Sequence, residues 1–365
     1  MKKTLPETLK KRFSTLLLKW NREKNGRQMP WKGEKDPYKI WLSEIILQQT
    51  RVEQGLNYYR NFIRAYPTIH RLANAPEQEV FKLWEGLGYY TRCRNLLVTA
   101  KHISKALKGQ FPDQYEEIKK LKGVGPYTAA AISSFAYNLP HAVVDGNVFR
   151  VLSRVFGVAT PIDTSAGKIF FTALAEELLD KKHAGLYNQA IMDFGAVVCK
   201  PALPLCLKCP FKKLCFAFLH NKTDQLPVKE KKIRIRKRWF YYVIPEYKDQ
   251  VAIRQRKEKD IWEGLYEFQL IESPVELSQK ELLKEMAKRK WFPPQTDELL
   301  SVSPLFRQQL SHQLIAGQFI RLKFKRKPAR KNEWFWVSRD KIGQYAFPGF
   351  INQYFRGGAG QQALF

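Results

Sequence analysis

Along the first two thirds of the chain apolar positions recur every three or four residues, as in Leu9, Phe13, Leu16, Leu17 and Trp20, the period of a helix with one buried face. From about residue 9 to 221 this pattern predicts helices joined by short turns. Asp36-Pro37, Tyr66-Pro67, Ala75-Pro76, Phe111-Pro112 and the stretch Gly123 to Pro126 punctuate it at intervals suited to helices. Residues 222–238 then carry Lys229, Lys231, Lys232, Arg234, Arg236, Lys237 and Arg238 with few apolar residues to pack, which reads as a linker. Beyond it, residues 239–244, 251–254, 319–324 and 334–337 are β-branched and aromatic and read as strands, with 281–290 helical between them. The expected fold is mainly α, followed by a separate α+β domain, with Gly357-Gly358-Ala359-Gly360 freeing a short tail.

With 365 residues, 44% of them hydrophobic, the chain can bury more than one core, and two or three domains are expected. Sixty-three Lys and Arg against 34 Asp and Glu leave a formal charge of +29, an excess that fits a polyanionic partner, with nucleic acid foremost. An acidic membrane surface fits less well, because no basic amphipathic helix stands apart from the globular pattern. Met1-Lys2-Lys3 is followed by polar residues and no apolar run approaches the length of a membrane span, so a cytoplasmic protein with no membrane partner is expected.

Four of the five cysteines, Cys199, Cys206, Cys209 and Cys215, stand in the spacing C-x6-C-x2-C-x5-C. Thiolates gathered in one short loop repel each other and persist only if a cation or a bond neutralises them. Four sulfur donors suit zinc or an iron-sulfur cluster. Only Cys206 and Cys209 form a C-x2-C pair and the outer spacings are unequal, which favours a 4Fe-4S cluster; structural zinc and two disulfides are the competing readings.

Three further segments carry candidate chemistry. Leu121-Lys122-Gly123-Val124-Gly125-Pro126-Tyr127 reads as a hairpin between helices, whose glycines let backbone N–H groups approach a phosphate, the alternative being an ordinary helical turn. Asp145, after Ala142-Val143-Val144 and before Gly146-Asn147, sits at a helix N-terminus, where the dipole and N–H donors favour its anion. Glu44 lies in Ile40-Trp41-Leu42-Ser43-Glu44-Ile45-Ile46-Leu47, so burial should raise its pKa and keep it protonated, as a general acid must be. Gln48, Gln49 and Thr50 are expected to continue that helix, with amides that can read bases. One carboxyl held neutral and one held ionised is the arrangement that cleaves a glycosidic bond through an oxocarbenium-like transition state.

These residues resemble the helix-hairpin-helix DNA glycosylases with an iron-sulfur loop, specifically the MutY-type adenine glycosylases. Met29-Pro30-Trp31, the run from Trp41 to Thr50, Gly86-Leu87-Gly88-Tyr89-Tyr90, the hairpin, Val144-Asp145-Gly146-Asn147-Val148 and the cysteine loop carry the likeness. It implies removal of adenine mispaired with 8-oxoguanine, or guanine, from double-stranded DNA. An extrahelical adenine would enter a pocket bounded by Arg27, Met29 and Trp31; Glu44 would protonate its N7, and Asp145, helped by Asn147 and Tyr127, would stabilise the sugar cation before Glu44 activates water. Leu87 and Tyr89 would meet the stack beside 8-oxoguanine, with Gln48, Gln49 and Thr50 on the opened pair and Gly123, Gly125 and Lys122 on phosphate. Lys122 departs from the proline usual there. The endonuclease III-like relatives have a catalytic lysine where Tyr127 stands, so a monofunctional glycosylase is expected, against a lyase or a non-enzymatic iron-sulfur regulator.

The C-terminal region resembles the Nudix-related module of such glycosylases, most clearly in Trp262-Glu263-Gly264-Leu265-Tyr266-Glu267-Phe268. Lys288 and Arg289 replace the glutamate pair of a working Nudix helix, so no nucleotide hydrolysis is expected. Leu310-Ser311-His312 resembles the loop that touches 8-oxoguanine, with Ser311 and His312 as its readers. The implied organisation is an iron-sulfur helical domain (1–28 and 137–221), a six-helix barrel with the hairpin (29–136), a basic linker (222–237), an 8-oxoguanine recognition domain (238–356) and a tail (357–365). Gln361-Gln362-Ala363-Leu364-Phe365 resembles peptides that dock on bacterial sliding clamps, and a monomer acting at the nucleoid is expected.

Overall fold

The computed structural model describes residues 6–230, 235–289, 297–327 and 333–357. The helical period becomes α1 (Glu7–Lys24), α2 (Pro37–Leu47), α3 (Val52–Ala65), α4 (Ile69–Ala73), α5 (Glu77–Trp84), α6 (Thr91–Lys105), α7 (Tyr115–Lys120), α8 (Pro126–Tyr137), α9 (Gly146–Phe156), α10 (Ser165–Leu178), α11 (Ala184–Val197) and α12 (Phe216–Leu219). Starts follow local chemistry: Asp36 accepts from Tyr38 N ahead of Pro37 in α2, Thr68 caps α4 and Thr164 caps α10. After the last of these come β1 (Arg236–Tyr247), β2 (Gln250–Gln255), β3 (Tyr266–Glu267), β4 (Gln269–Ser273), α13 (Gln279–Lys288), β5 (Asp297–Val302), β6 (Phe306–Gln309), β7 (Gln313–Phe324), β8 (Phe335–Ser338) and α14 (Gly349–Arg356).

The chain divides into two compact units, one of Met1–Asn74 with Asn95–Lys232, the other of Ala75–Arg94 with Ile233–Phe365. In the first, Phe13, Leu17 and Trp20 of α1 pack on Val151, Leu152 and Val155 of α9 and on Phe171, Phe194 and Phe211. Phe13 stacks on Phe211 at 4.7 Å and Trp20 meets Phe194 edge-on at 5.0 Å. Part of the basic stretch belongs to this packing. Leu226 is buried and Ile162 N donates to Val228 O at 3.0 Å, while Arg236 and Lys237 already lie in β1, so composition alone overstates the length of free connection.

The second unit is built on a mixed sheet with β1 and β7 parallel at its centre and the other pairs antiparallel. Alternation along β1 sends Tyr241 and Val243 to one core with Ile271, Leu282 and Ile320. Tyr242 stacks instead on Phe319, which in turn stacks on Tyr354. Gly317 of β7 is required where it stands: a Cβ there would lie 1.7 Å from the Phe240 carbonyl oxygen. The residues 75–94 join this unit through polar ties: Phe347 N donates to Glu85 Oε1 at 2.7 Å, and Arg94 Nη2 meets Glu263 Oε2 at 2.8 Å. The tail peptide from Gln361 to its end lies outside the described residues.

Candidate active site

Helix α2 buries almost every side chain, Glu44 included at 7% exposure, and so brings a carboxyl group to the wall of a cavity of about 550 Å³. Burial pushes Glu44 up to about 7; a hydrogen bond from the Tyr127 hydroxyl opposes this, and the Asp145 charge adds to it. Asp145 lines the same cavity as the N-cap of α9. Its Oδ1 accepts from Val148 N at 2.8 Å and its Oδ2 from Asn147 Nδ2 at 2.8 Å. Burial raises Asp145 above its ordinary value, a contribution that the helix-terminus reading omitted, while these donors and the Arg150 charge pull it back. Several donors favour the Asp145 anion, against one for that of Glu44.

Arg27, Met29, Trp31, Gln48, Gln49, Thr50, Tyr127 and Asn147 all line this cavity. The expectation that α2 continues through Thr50 is corrected: the helix ends at Leu47, Gln48 is its cap, and Gln49 has φ 55°, in the left-handed region. The apolar run that holds the helix in the core stops at Leu47, and Thr50 N turns back to Leu47 O at 3.1 Å. Gln48 Nε2 donates to Thr128 Oγ1 at 3.2 Å. The fully buried Asp193 accepts from Arg27 Nη1 at 2.9 Å, pairs with Lys32 Nζ at 3.0 Å and accepts from Gln189 Nε2 at 3.0 Å. Sequence reasoning missed Gln189 and Met192 of α11 and Phe149 of α9 as lining residues, since they reach the cavity through helix packing and carry no motif.

Between α7 and α8, Lys122 is exposed, Gly123 has φ 80° and Gly125 caps α8 with open space where a Cβ would stand. The N–H groups opening α8 are thus approachable from outside. The four loop cysteines are free thiols lining one small cavity with Arg154, whose Nη1 lies 3.6 Å from Cys199 Sγ. Burial pushes Cys209 up to about 12, so thiols here need a cation to become ligands. Among the described residues no three Cys, His, Asp or Glu side chains are placed to hold a single metal ion.

The second unit has its own cavity, of about 490 Å³, lined by residues 86–91, Arg94, residues 260–263 and residues 308–313. Leu87, Tyr89, Ser311 and His312 therefore come together, and the Tyr89 hydroxyl is hydrogen-bonded to Ser311 Oγ. Leu310, Ser311 and His312 form the tip of the β6–β7 hairpin, with Leu310 N bonded to Gln313 O at 2.7 Å and Arg236 N to His312 O at 3.0 Å. Trp262 and Glu263, noted in sequence only as a module segment, also line this cavity, Trp262 with φ 64°.

A hairpin-bearing helical unit with two carboxyl groups lining one cavity fits a base excision enzyme of the helix-hairpin-helix class, and residues 42–170 match the HhH-GPD superfamily of base excision DNA repair proteins. Residues 240–356 match the NUDIX domain. The adenine DNA glycosylase of Buchnera aphidicola subsp. Baizongia pistaciae is 35% identical over 303 residues, 82% of this chain and 83% of that one. The adenine DNA glycosylase of Homo sapiens is 40% identical over 224 residues, 59% of this chain and 41% of its own length. The chain belongs to the adenine DNA glycosylase family, and it is a DNA glycosylase. Among solved structures, a thermostable thymine-DNA glycosylase aligns with a TM-score of 0.54 and 30% identity over 59% of this chain and 100% of that one. A trapped endonuclease III–DNA covalent intermediate, at 0.52 and 21% over 60% and 99%, shares the fold. Among the described residues, no helix is long and apolar enough to cross a membrane.

Proposed function

We propose that this enzyme excises adenine mispaired with 8-oxoguanine, or with guanine, from double-stranded DNA and leaves an abasic site. The observation that carries this is the cavity shared by a buried Glu44, its pKa pushed up to about 7, and a hydrogen-bonded Asp145. A base turned out of the duplex enters between Arg27, Met29 and Trp31, and Glu44 donates its proton to adenine N7, so the base departs neutral. Asp145, steadied by Val148 N and Asn147, faces the positive sugar carbon, and the Glu44 carboxylate then takes a proton from the attacking water. Tyr127 holds Glu44 by its hydroxyl and has no amine for a Schiff base, which supports a monofunctional hydrolase.

In the second unit, Ser311, His312, Leu87 and Tyr89 read 8-oxoguanine, while Gln48, Gln49 and Thr50 meet the opened pair and Gly123, Gly125 and Lys122 bind phosphate. The Nudix module acts as a reader: in α13 Glu285 is engaged by Lys288 at 2.6 Å instead of being paired with a second carboxylate. Cys199, Cys206, Cys209 and Cys215 hold one 4Fe-4S cluster, which supplies a folding cross-link; the four line one small cavity, and their unequal outer spacing supports a cluster over zinc. The enzyme works as a monomer at the nucleoid, and the peptide from Gln361 to Phe365 docks on the sliding clamp.

A single-turnover assay on a duplex with A opposite 8-oxoguanine tests the reading. Free adenine and an intact strand at the abasic site are expected; no released base, or a borohydride-trapped complex through a lysine, would overturn it.

A further inference from the structure

Tyr89 stands in an unusual backbone state. It has φ 48°, is preceded by Gly86 at 97° and Gly88 at 72°, and is 45% exposed. A left-handed tyrosine is unfavourable by itself and persists only where neighbours over-determine it. Arg92, in the first turn of α6, bonds three consecutive carbonyls of this turn. Its backbone N donates to Tyr89 O at 2.8 Å, and its Nη2 to both Leu87 O and Gly88 O at 3.3 Å. The guanidinium carbon lies 5.3 Å from the Trp84 ring centroid and 5.6 Å from that of Tyr89. Trp84, fully buried, adds a bond from Nε1 to Gly88 O at 3.1 Å and so anchors the stack to the core.

We infer that Arg92 is a positioning residue for base-pair reading: by bracing the Leu87–Tyr89 turn it fixes the direction in which the Tyr89 ring and hydroxyl are presented beside Ser311. This rests on the reading of that cavity given above. One terminal nitrogen of the planar guanidinium bonds both carbonyls while the carbon lies over the Trp84 and Tyr89 rings, and the stiff plane holds these directions together in a way that a compact ammonium on a flexible stem does not, so charge alone does not meet the need. Burial lowers Arg92 to about 10, which leaves it charged at neutral pH.

The test compares excision of A opposite 8-oxoguanine with A opposite guanine, at limiting enzyme, for Arg92→Met, Arg92→Lys, Tyr89→Ala and the double variant Tyr89→Ala/Arg92→Lys. Both Arg92 variants are expected to lower the ratio of the two rates at least about tenfold, as Tyr89→Ala does, and the double variant to fall no further than Tyr89→Ala. Should Arg92→Met fail to fold, Arg92→Lys with a wild-type melting curve decides by itself. A ratio held within about twofold in Arg92→Lys while Tyr89→Ala loses it would overturn the inference. An unchanged ratio in Tyr89→Ala would instead sink the assignment of the cavity on which the inference rests.

Discussion

Asn147 gives its side-chain amide to Asp145 Oδ2 at 2.8 Å, and its own Oδ1 is fixed by Arg150 Nη2 at 2.7 Å. Arg150 is 8% exposed and also bonds the carbonyls of Gly195 and Cys199, at 2.8 and 2.7 Å. The orientation of the Asp145 carboxylate is thus set from the interior. Losing Asn147 removes a donor that favours the anion, so the Asp145 pKa rises. In Asn147→Ala the acidic limb of the single-turnover rate profile should move to higher pH, with the rate at neutral pH down about 10- to 100-fold. An unmoved limb would separate Asn147 from the chemistry.

Glu44→Gln keeps the shape of the acid and loses its proton. Excision should fall by about 10²–10⁴ while duplex affinity, measured by fluorescence anisotropy, stays near wild type. In the wild-type enzyme the rate should decline as pH rises through about 7, where Glu44 loses its proton.

The same carboxyl group has a signature in stability. Its folded pKa, about 7, lies above the ordinary 4.5, so the folded state binds the proton more tightly. That contribution is complete below pH 4.5 and is lost as pH rises through 7. Between pH 5 and 8 the wild type should lose about 2–3 kcal/mol more stability in urea titrations than Glu44→Gln does. Equal losses would show that Glu44 is hydrated in solution.

Ser311 and His312 stand exposed at a hairpin tip, away from either carboxyl group in sequence and in a different compact unit. Alanine at either position should reduce the preference for 8-oxoguanine over guanine while the excision rate at saturating enzyme on A opposite guanine changes little. A matching fall in both rates would point to misfolding of the hairpin.

Replacing Cys209 by Ser removes one thiol from the shared cavity and leaves the others in place. Iron and acid-labile sulfide per chain, measured after anaerobic purification, should drop, with a lower melting temperature. Zero sulfide in the wild-type protein would exclude the cluster.

Much of this site was legible in the sequence because its parts are local. Glu44 announces itself as the one charged residue in a largely apolar run, and Asp145 as a cap before Gly146-Asn147. Where the local pattern ends, the sequence misleads: nothing in Gln48-Gln49-Thr50 opposes a helix, yet the turn after Leu47 puts Gln49 in the left-handed region. Contributions assembled by packing were invisible, as with Gln189 on α11, engaged by a buried Asp193. The strands β3 to β6 were missed because they carry few β-branched or aromatic residues, as in Phe306-Arg307-Gln308-Gln309 of β6.

Gly317 lies in the parallel seam of β1 and β7, four residues along β7 from Gln313, where the strand leaves the tip that carries Ser311 and His312. The register that seats those two side chains is therefore underwritten by hydrogen at a place where even a methyl group would wedge the strands apart. On the proposed reading of Ser311 and His312, discrimination between a damaged and an intact guanine would be hostage to a contact between two backbones.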